Sequence, residues 1–222
     1  MSLELYNMDN MLFETERKAN LIFSDYVYEN LDFSWVDKYW KILAPDSVFM
    51  VMTDFHSQHR FRVYMEDVIG AKFINHLVWK NEWGNHPKNK FHMCYDDIIV
   101  YGNGNWKFDP SKIQVPKKTI NKGLNPSGRI TKQATAWIDD CTLTTTAQER
   151  EKMDDGHLIR WQKPLSLIRR IFSPFLVEGN LVIDPFAGSG TSGEVAKELG
   201  CDYIGIEYDK IPFDIANRRL HE

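Results

Sequence analysis

The stretch Asp184-Pro185-Phe186-Ala187-Gly188-Ser189-Gly190-Thr191-Ser192-Gly193 has residue types and spacing that imply chemistry. Residues 188 to 193 read G-x-G-x-x-G, and Glu207 follows Gly188 by 19 residues. Glycines admit a ligand close to the backbone. A helix starting after them offers free N–H donors, and an acid at that distance can hold two ribose hydroxyls. This is the spacing of the dinucleotide fingerprint, so a nicotinamide or flavin site is one reading. A structural turn with no ligand is another. Asp184 favours a third. A carboxylate just ahead of the glycines opposes a pyrophosphate and attracts an ammonium. S-adenosylmethionine carries an ammonium, a carboxylate and a ribose, which match Asp184, the helix start and Glu207 in turn.

The loop needs rigid elements on both sides. Residues 181–183 read as a short buried strand, residues 192–199 as a helix ended by Gly200, and residues 203–206 as the next strand. Upstream, residues 3–6, 21–23, 48–52 and 98–101 also read as strands, the last stopped by Gly102-Asn103-Gly104. Phe33, Val36, Tyr39, Trp40 and Leu43 fall at helical spacing between two of them. Leu165, Ile168, Ile171 and Phe172 give an amphipathic helix after Pro164. Strands alternating with helices predict an α/β fold built on a doubly wound, mostly parallel sheet.

The chain of 222 residues suits one domain, 1–222, with a sizeable core. Its net charge of -4 argues mildly against a nucleic-acid partner, but the distribution matters more than the sum. Residues 107–132 hold seven basic side chains (Lys107, Lys112, Lys117, Lys118, Lys122, Arg129 and Lys132) against a single acid, Asp109. They lie within 106–156, a proline- and glycine-bearing stretch with few periodic apolar positions. Cys94, Cys141 and Cys201 are far apart and form no CxxC, which suits reduced thiols. His56, His59, His86 and His92 match no usual metal-ligand spacing, so no metal is expected. The first residues show no targeting pattern, and the apolar run 48–52 is too short to span a bilayer. The expectation is a soluble, cytoplasmic protein with no membrane partner.

Residues 184–191 resemble the cofactor motif of the amino-group DNA methyltransferases, which modify adenine N6 or cytosine N4. Gln162-Lys163-Pro164 resembles that family's second cofactor-side motif, which precedes the glycine loop in permuted members of the β arrangement. Residues 3–30 and 157–209 follow the family's layout. The resemblance implies a permuted S-adenosylmethionine-dependent methyltransferase fold, with 106–156 as a small irregular insertion for target recognition. It implies cofactor contacts from Asp9, Lys163, Asp184, Phe186, Ala187, Gly188, Ser189, Gly190, Thr191, Glu207 and Asp209. It also implies double-stranded DNA as partner and, by analogy, a homodimer.

The family's catalytic loop follows a strand and has a short polar or acidic residue, two prolines and an aromatic. Asp25-Tyr26-Val27-Tyr28 stands at that place, with Tyr26 and Val27 where the prolines would be. An exocyclic amino group is a poor nucleophile because its lone pair is delocalised into the ring. Accepting hydrogen bonds from both amino hydrogens favours a more pyramidal nitrogen, so the methyl group can pass directly without a covalent enzyme intermediate. The resemblance assigns the two acceptors to the Asp25 carboxylate and the Tyr26 carbonyl, and stacking on a flipped-out base to Tyr28. Asp25 at the head of the loop favours adenine N6. Three alternatives stay open: a catalytically silent homologue that binds cofactor and DNA, a methyltransferase for RNA or a small molecule, and a dinucleotide oxidoreductase.

If the basic stretch contacts phosphates, reversing the charges of Lys117, Lys118, Lys122, Arg129 and Lys132 should weaken DNA binding and flatten its salt dependence. A titration across salt concentrations reads both, and an unchanged slope would remove these residues from the interface.

Overall fold

The structure, a computed structural model, describes residues 1–26, 31–81, 87–117, 128–142, 148–153, 156–159 and 161–221. Among the described residues, ten strands and five α-helices order as β1 (Leu3–Asn7), β2 (Ala19–Asp25), α1 (Ser34–Lys41), β3 (Leu43–Thr53), α2 (Gln58–Val63), β4 (Lys72–Lys80), β5 (Tyr95–Gly102), β6 (Gln114–Pro116), β7 (Thr131–Gln133), β8 (Trp137–Ile138), α3 (Leu165–Phe172), β9 (Leu181–Asp184), α4 (Thr191–Glu198), β10 (Asp202–Glu207) and α5 (Lys210–His221). Eight strands form one sheet in the order β1-β10-β9-β2-β3-β5-β4-β8. From β1 to β3 all neighbours are parallel. β5 runs antiparallel to both β3 and β4.

Successive residues of a strand face opposite sides of the sheet. Leu21, Phe23, Met50, Ile98 and Val182 therefore join one apolar layer with Ile168, Ile171 and Phe172 of α3, Val195 of α4 and Leu220 of α5. Ile22, Phe49, Val51, Ile99 and Ile183 join the other with Val36 and Tyr39 of α1 and Phe61 of α2. Helices on both faces of a mostly parallel sheet make the doubly wound α/β arrangement expected from the sequence. The near-continuous apolar runs of β2, β3, β5 and β9 follow from burial on both faces.

β4 carried no comparable signal. Trp79 is its one buried residue, because most of the strand lies near the sheet edge under little cover. Among the described residues, 106–156 is partly irregular and partly built into the body. Gln114 to Pro116 and Thr131 to Gln133 pair as an antiparallel ribbon separate from the main sheet. β8 instead pairs with β4, and Ile138 and Cys141 enter the first apolar layer. The Trp79 indole N–H donates to the Cys141 carbonyl at 2.7 Å and ties this segment to the sheet.

Trp79→Phe keeps most of the apolar volume and leaves that buried carbonyl without its donor. We expect a loss of about 1–3 kcal/mol in denaturant unfolding. A change near zero would show that the carbonyl finds another partner.

Candidate functional site

The topology gathers the candidate residues. β9 lies between β10 and β2, and the chain winds away in opposite directions on its two sides. A crevice opens at such a switch point, outside the carboxyl ends of the parallel strands. Asp184 ends β9, Glu207 ends β10 and Asp25 ends β2. They open onto one cleft of about 530 Å³, within the range of roughly 300–1,000 Å³ typical of small-molecule sites. Asp9, Asp25, Lys163, Asp184, Phe186, Ala187, Gly188, Ser189, Thr191, Glu207 and Asp209 all line it.

The glycine loop is held from within. The Asp184 carboxylate is buried, accepts the Phe186 N–H at 2.9 Å and takes a short hydrogen bond from the Ser192 hydroxyl. The Ala187 N–H donates to the Ile206 carbonyl at 2.9 Å, which fixes the loop to β10. Gly190 does not line the cleft. Its φ is +80°, and a Cβ there would stand 2.9 Å from Cβ of Ala216. Glycine at this position lets α5 close on the loop.

Glu207 also contacts the loop. One carboxylate oxygen accepts the Gly188 N–H at 2.8 Å and the other accepts the Asp209 N–H at 2.8 Å. The first glycine's amide is thus already paired with the acid 19 residues on. The Tyr208 N–H also favours this carboxylate, which retains part of its acceptor capacity for a ligand hydroxyl. Burial raises the Glu207 pKa above its ordinary value. Asp9 is exposed at the rim and caps a short turn by accepting the Met11 N–H at 2.8 Å.

Alternation along β2 separates Asp25 from Tyr26. Asp25 points to the same side as Phe23, into the cleft, where the Lys163 ammonium forms a short ion pair with it. Tyr26 points to the other side and is 3% exposed. Its ring lies 5.8 Å from Trp35, 6.0 Å from Phe61 and 6.5 Å from Phe186, measured between centroids. Its hydroxyl lies 3.2 Å from the Thr53 hydroxyl. Tyr26 thus anchors the carboxyl end of β2 by packing its ring among other aromatics. Tyr28, Lys118 and Lys122 lie outside the described residues.

Lys117, Arg129 and Lys132 gather about the β6–β7 ribbon, where the Lys117 N–H donates to the Ile130 carbonyl at 3.0 Å. Lys112 of the same basic stretch turns inward and donates to the Leu176 carbonyl at 2.8 Å.

Further cleft residues were not singled out in the sequence. Phe23 was legible through its alternation with Asp25. Trp161 and Tyr208 adjoin Lys163 and Glu207 in the chain, are 77% and 74% exposed, and line the cleft. Asp96 of β5 does not line the cleft and carried no motif, but it lies within electrostatic reach of Asp25 and Lys163. It accepts a hydrogen bond from the Asn81 amide at 3.1 Å, and burial pushes its pKa up to about 6 while Lys163 pulls it back.

Among the described residues, the charged side chains lining the cleft are Asp9, Asp25, Asp184, Glu207 and Asp209 against Lys163. Burial pushes the Asp184 pKa up to about 7, and Asp25 and Glu207 add repulsion. Such a wall disfavours a pyrophosphate and favours a ligand that carries positive charge.

The folded chain holds the Asp184 proton up to about pH 7, whereas an ordinary aspartate releases it near 3.8. The folded state binds more protons across that window, so this group's contribution to stability falls as pH rises through it. Asp184→Asn offers an acceptor to Phe186 and a donor to Ser192 without charge. Its stability relative to the parent should climb between about pH 4 and pH 7. Urea unfolding at successive pH values reads the difference, and a flat difference would mean that Asp184 titrates normally.

A family model described as N6_N4_Mtase, DNA methylase, matches residues 6–218. The type II methyltransferase M.HinfI of Haemophilus influenzae is 28% identical over 206 residues, covering 90% of this chain and 54% of that protein. M.HpaI of Haemophilus parainfluenzae is 27% identical over 211 residues, covering 90% of this chain and 61% of that protein. The chain thus spans little more than half the length of these curated relatives. Among solved structures, the M1.HpyAVI–SAM complex aligns with a TM-score of 0.72 at 19% identity, covering 98% of this chain and 100% of that one. The cytosine-N4-specific PvuII DNA methyltransferase aligns with a TM-score of 0.72 at 15% identity, covering 100% of this chain and 87% of that one. At these identities the structural likeness speaks for the fold.

Proposed function

The chain belongs to the N6/N4 DNA methylase family, and from that premise we propose that it moves a methyl group from S-adenosylmethionine to an exocyclic amino group of a base flipped out of double-stranded DNA. The observation that carries the proposal is the charge of the cleft. Among the described residues of its wall, Asp9, Asp25, Glu207 and Asp209 are acids against the base Lys163, Asp184 adds charge once it ionises near pH 7, and Asp25 stands in the same wall as the glycine loop. S-adenosylmethionine has a sulfonium and an ammonium to meet those acids, and it supplies an activated methyl group when bound.

In this proposal Asp184, Phe186, Ala187, Gly188, Ser189 and Thr191 form the wall at the amino-acid end, with Gly190 permitting its shape. Glu207 takes the ribose hydroxyls, and Asp9 and Asp209 stand at the adenine edge. Asp25 accepts one hydrogen of the target amino group and the Tyr26 carbonyl accepts the other. Bound there, S-adenosylmethionine would supply its methyl group to the amino nitrogen and leave as S-adenosylhomocysteine, and Asp25 would take the proton that the nitrogen sheds. Lys163 must yield Asp25 as the base arrives. Tyr28 stacks on that base. The 106–156 stretch reads the target, with its basic side chains on phosphates. Adenine N6 is the favoured acceptor.

A second reading is a homologue that binds without transferring. The Asp25–Lys163 ion pair and the absence of the two prolines favour it.

Incubation with radiolabelled S-adenosylmethionine and unmethylated DNA separates the two. We expect label in DNA, recovered as N6-methyladenine, and at least about a hundredfold loss in Asp25→Ala. N4-methylcytosine would correct the base. Cofactor binding without transfer would support the silent reading, and tighter binding of NAD would overturn the cofactor.

A further inference from the structure

Behind the glycine loop, on the side away from the cleft, α5 supplies a buried guanidinium. The Arg219 side chain is 5% exposed. It donates to the Ser189 carbonyl at 2.6 Å, and it reaches the Ser189 hydroxyl at 3.2 Å and the Thr191 hydroxyl at 3.3 Å. The Glu194 carboxylate of α4 forms a short ion pair with it, and Glu151 lies 3.7 Å from its Nε. Arg218 Nη2 approaches the same Glu151 at 3.1 Å.

These contacts fall where the loop has least support of its own. Ser189 sits between Gly188 and Gly190, both at positive φ, so no regular ladder fixes its peptide groups. The Gly190 N–H closes on the Ala187 carbonyl at 2.9 Å. The other side of that peptide, the Ser189 carbonyl, points to Arg219. Guanidinium is suited to this place because its rigid fork reaches several oxygens at once and cannot lose its charge.

Glu151 extends the arrangement to the opposite wall. Its N–H donates to the Gln162 side-chain carbonyl at 2.8 Å, and its own carbonyl accepts the Ile159 N–H at 3.2 Å. Ile159 and Gln162 line the cleft beside Lys163.

We propose that Arg219 is a positioning residue that clamps the Ser189–Thr191 turn in its ligand-binding shape, with Glu151 joining this clamp to the Ile159–Lys163 wall. Arg219 does not line the cleft, so it acts through the loop. The consequence for cofactor affinity rests on the S-adenosylmethionine reading, whereas the clamp itself does not.

The test uses the full chain with Arg219→Met, Arg219→Lys and Glu151→Gln. Amide hydrogen exchange without ligand reads the clamp directly. Arg219→Met should speed exchange at residues 187–192 by roughly tenfold or more, with β2 and β3 amides unchanged. Arg219→Lys keeps the charge but lacks the fork, so a smaller increase at the same amides is expected. If Arg219→Met fails to fold, the lysine variant and Glu151→Gln carry the measurement. Wild-type exchange at 187–192 in every folded variant would overturn the proposal, as would acceleration spread evenly over the sheet. Titration with S-adenosylmethionine and with S-adenosylhomocysteine gives the second readout. Both dissociation constants should rise by a similar factor, because the clamp acts on the loop and not on the sulfonium. The KM for cofactor should rise with little change in kcat at saturation, whereas a loss of folded protein would lower kcat alone. A wild-type chain with a protected loop and no binding of either ligand would overturn the cofactor reading and support the clamp.

Discussion

The site depends on the pairing of β2 with β9. Leu21 lies beside Val182 and Ile22 beside Ile183, joining segments 161 residues apart in the chain. A parallel pair of this kind has no local turn to nucleate it, so buried apolar side chains on both faces must hold it. These strands have them: Leu21, Ile22, Val182 and Ile183 are each 0% exposed. Without that pairing, Asp25 and the glycine loop would belong to separate halves. With it, the Asp25 carboxylate and the glycine loop share one crevice, and the order of the motifs along the chain ceases to matter for their geometry.

The cleft that results is electrostatically one-sided. Taken singly, Asp184 and Glu207 are satisfied by backbone amides and a serine hydroxyl. Burial raises the cost of ionising both, with Asp25 and Glu207 adding repulsion at Asp184 and Asp209 adding it at Glu207. Hydrogen bonding fixes the shape of the loop, while the accumulated negative charge selects what can enter. By its place just ahead of the glycines, Asp184 reads in the sequence as a partner for a ligand ammonium. The observed carboxylate is turned inward, so its influence on a ligand is exerted through the field and through its remaining lone pairs.

Much of this was legible before the structure because local pattern and tertiary role agree. The strand at 181–183, the glycine turn and the following helix are contiguous in the chain, and Glu207 lies one short helix away. Asp25 could be placed because a buried strand leads straight into it. The features that were not legible are those set by distant chain segments. β4 has too little cover to show a buried pattern. Tyr26 reads as one member of a loop motif, but its ring belongs to an aromatic cluster assembled from α1, α2 and the glycine loop. Arg219 lies in a helix with an ordinary charged face, and nothing local distinguishes it from Arg218. Asp96 is marked only by neighbours that β2 and the Lys163 segment bring to it.

The way in which the 106–156 segment returns to the body also sets a boundary for exchange between proteins. Up to Gln133 the described part forms a ribbon outside the main sheet, and from Trp137 the chain is woven into the sheet edge and the core. The first part is also tied to the body, through Asp109 N–H to the Pro174 carbonyl, Lys112 to the Leu176 carbonyl and Phe108 against Phe175, whereas the second enters the core itself. A recombination event that ends before β8 changes the ribbon and leaves Ile138, Cys141 and their partners intact. One that ends later imports core residues that have to match Trp79, Leu77 and α3.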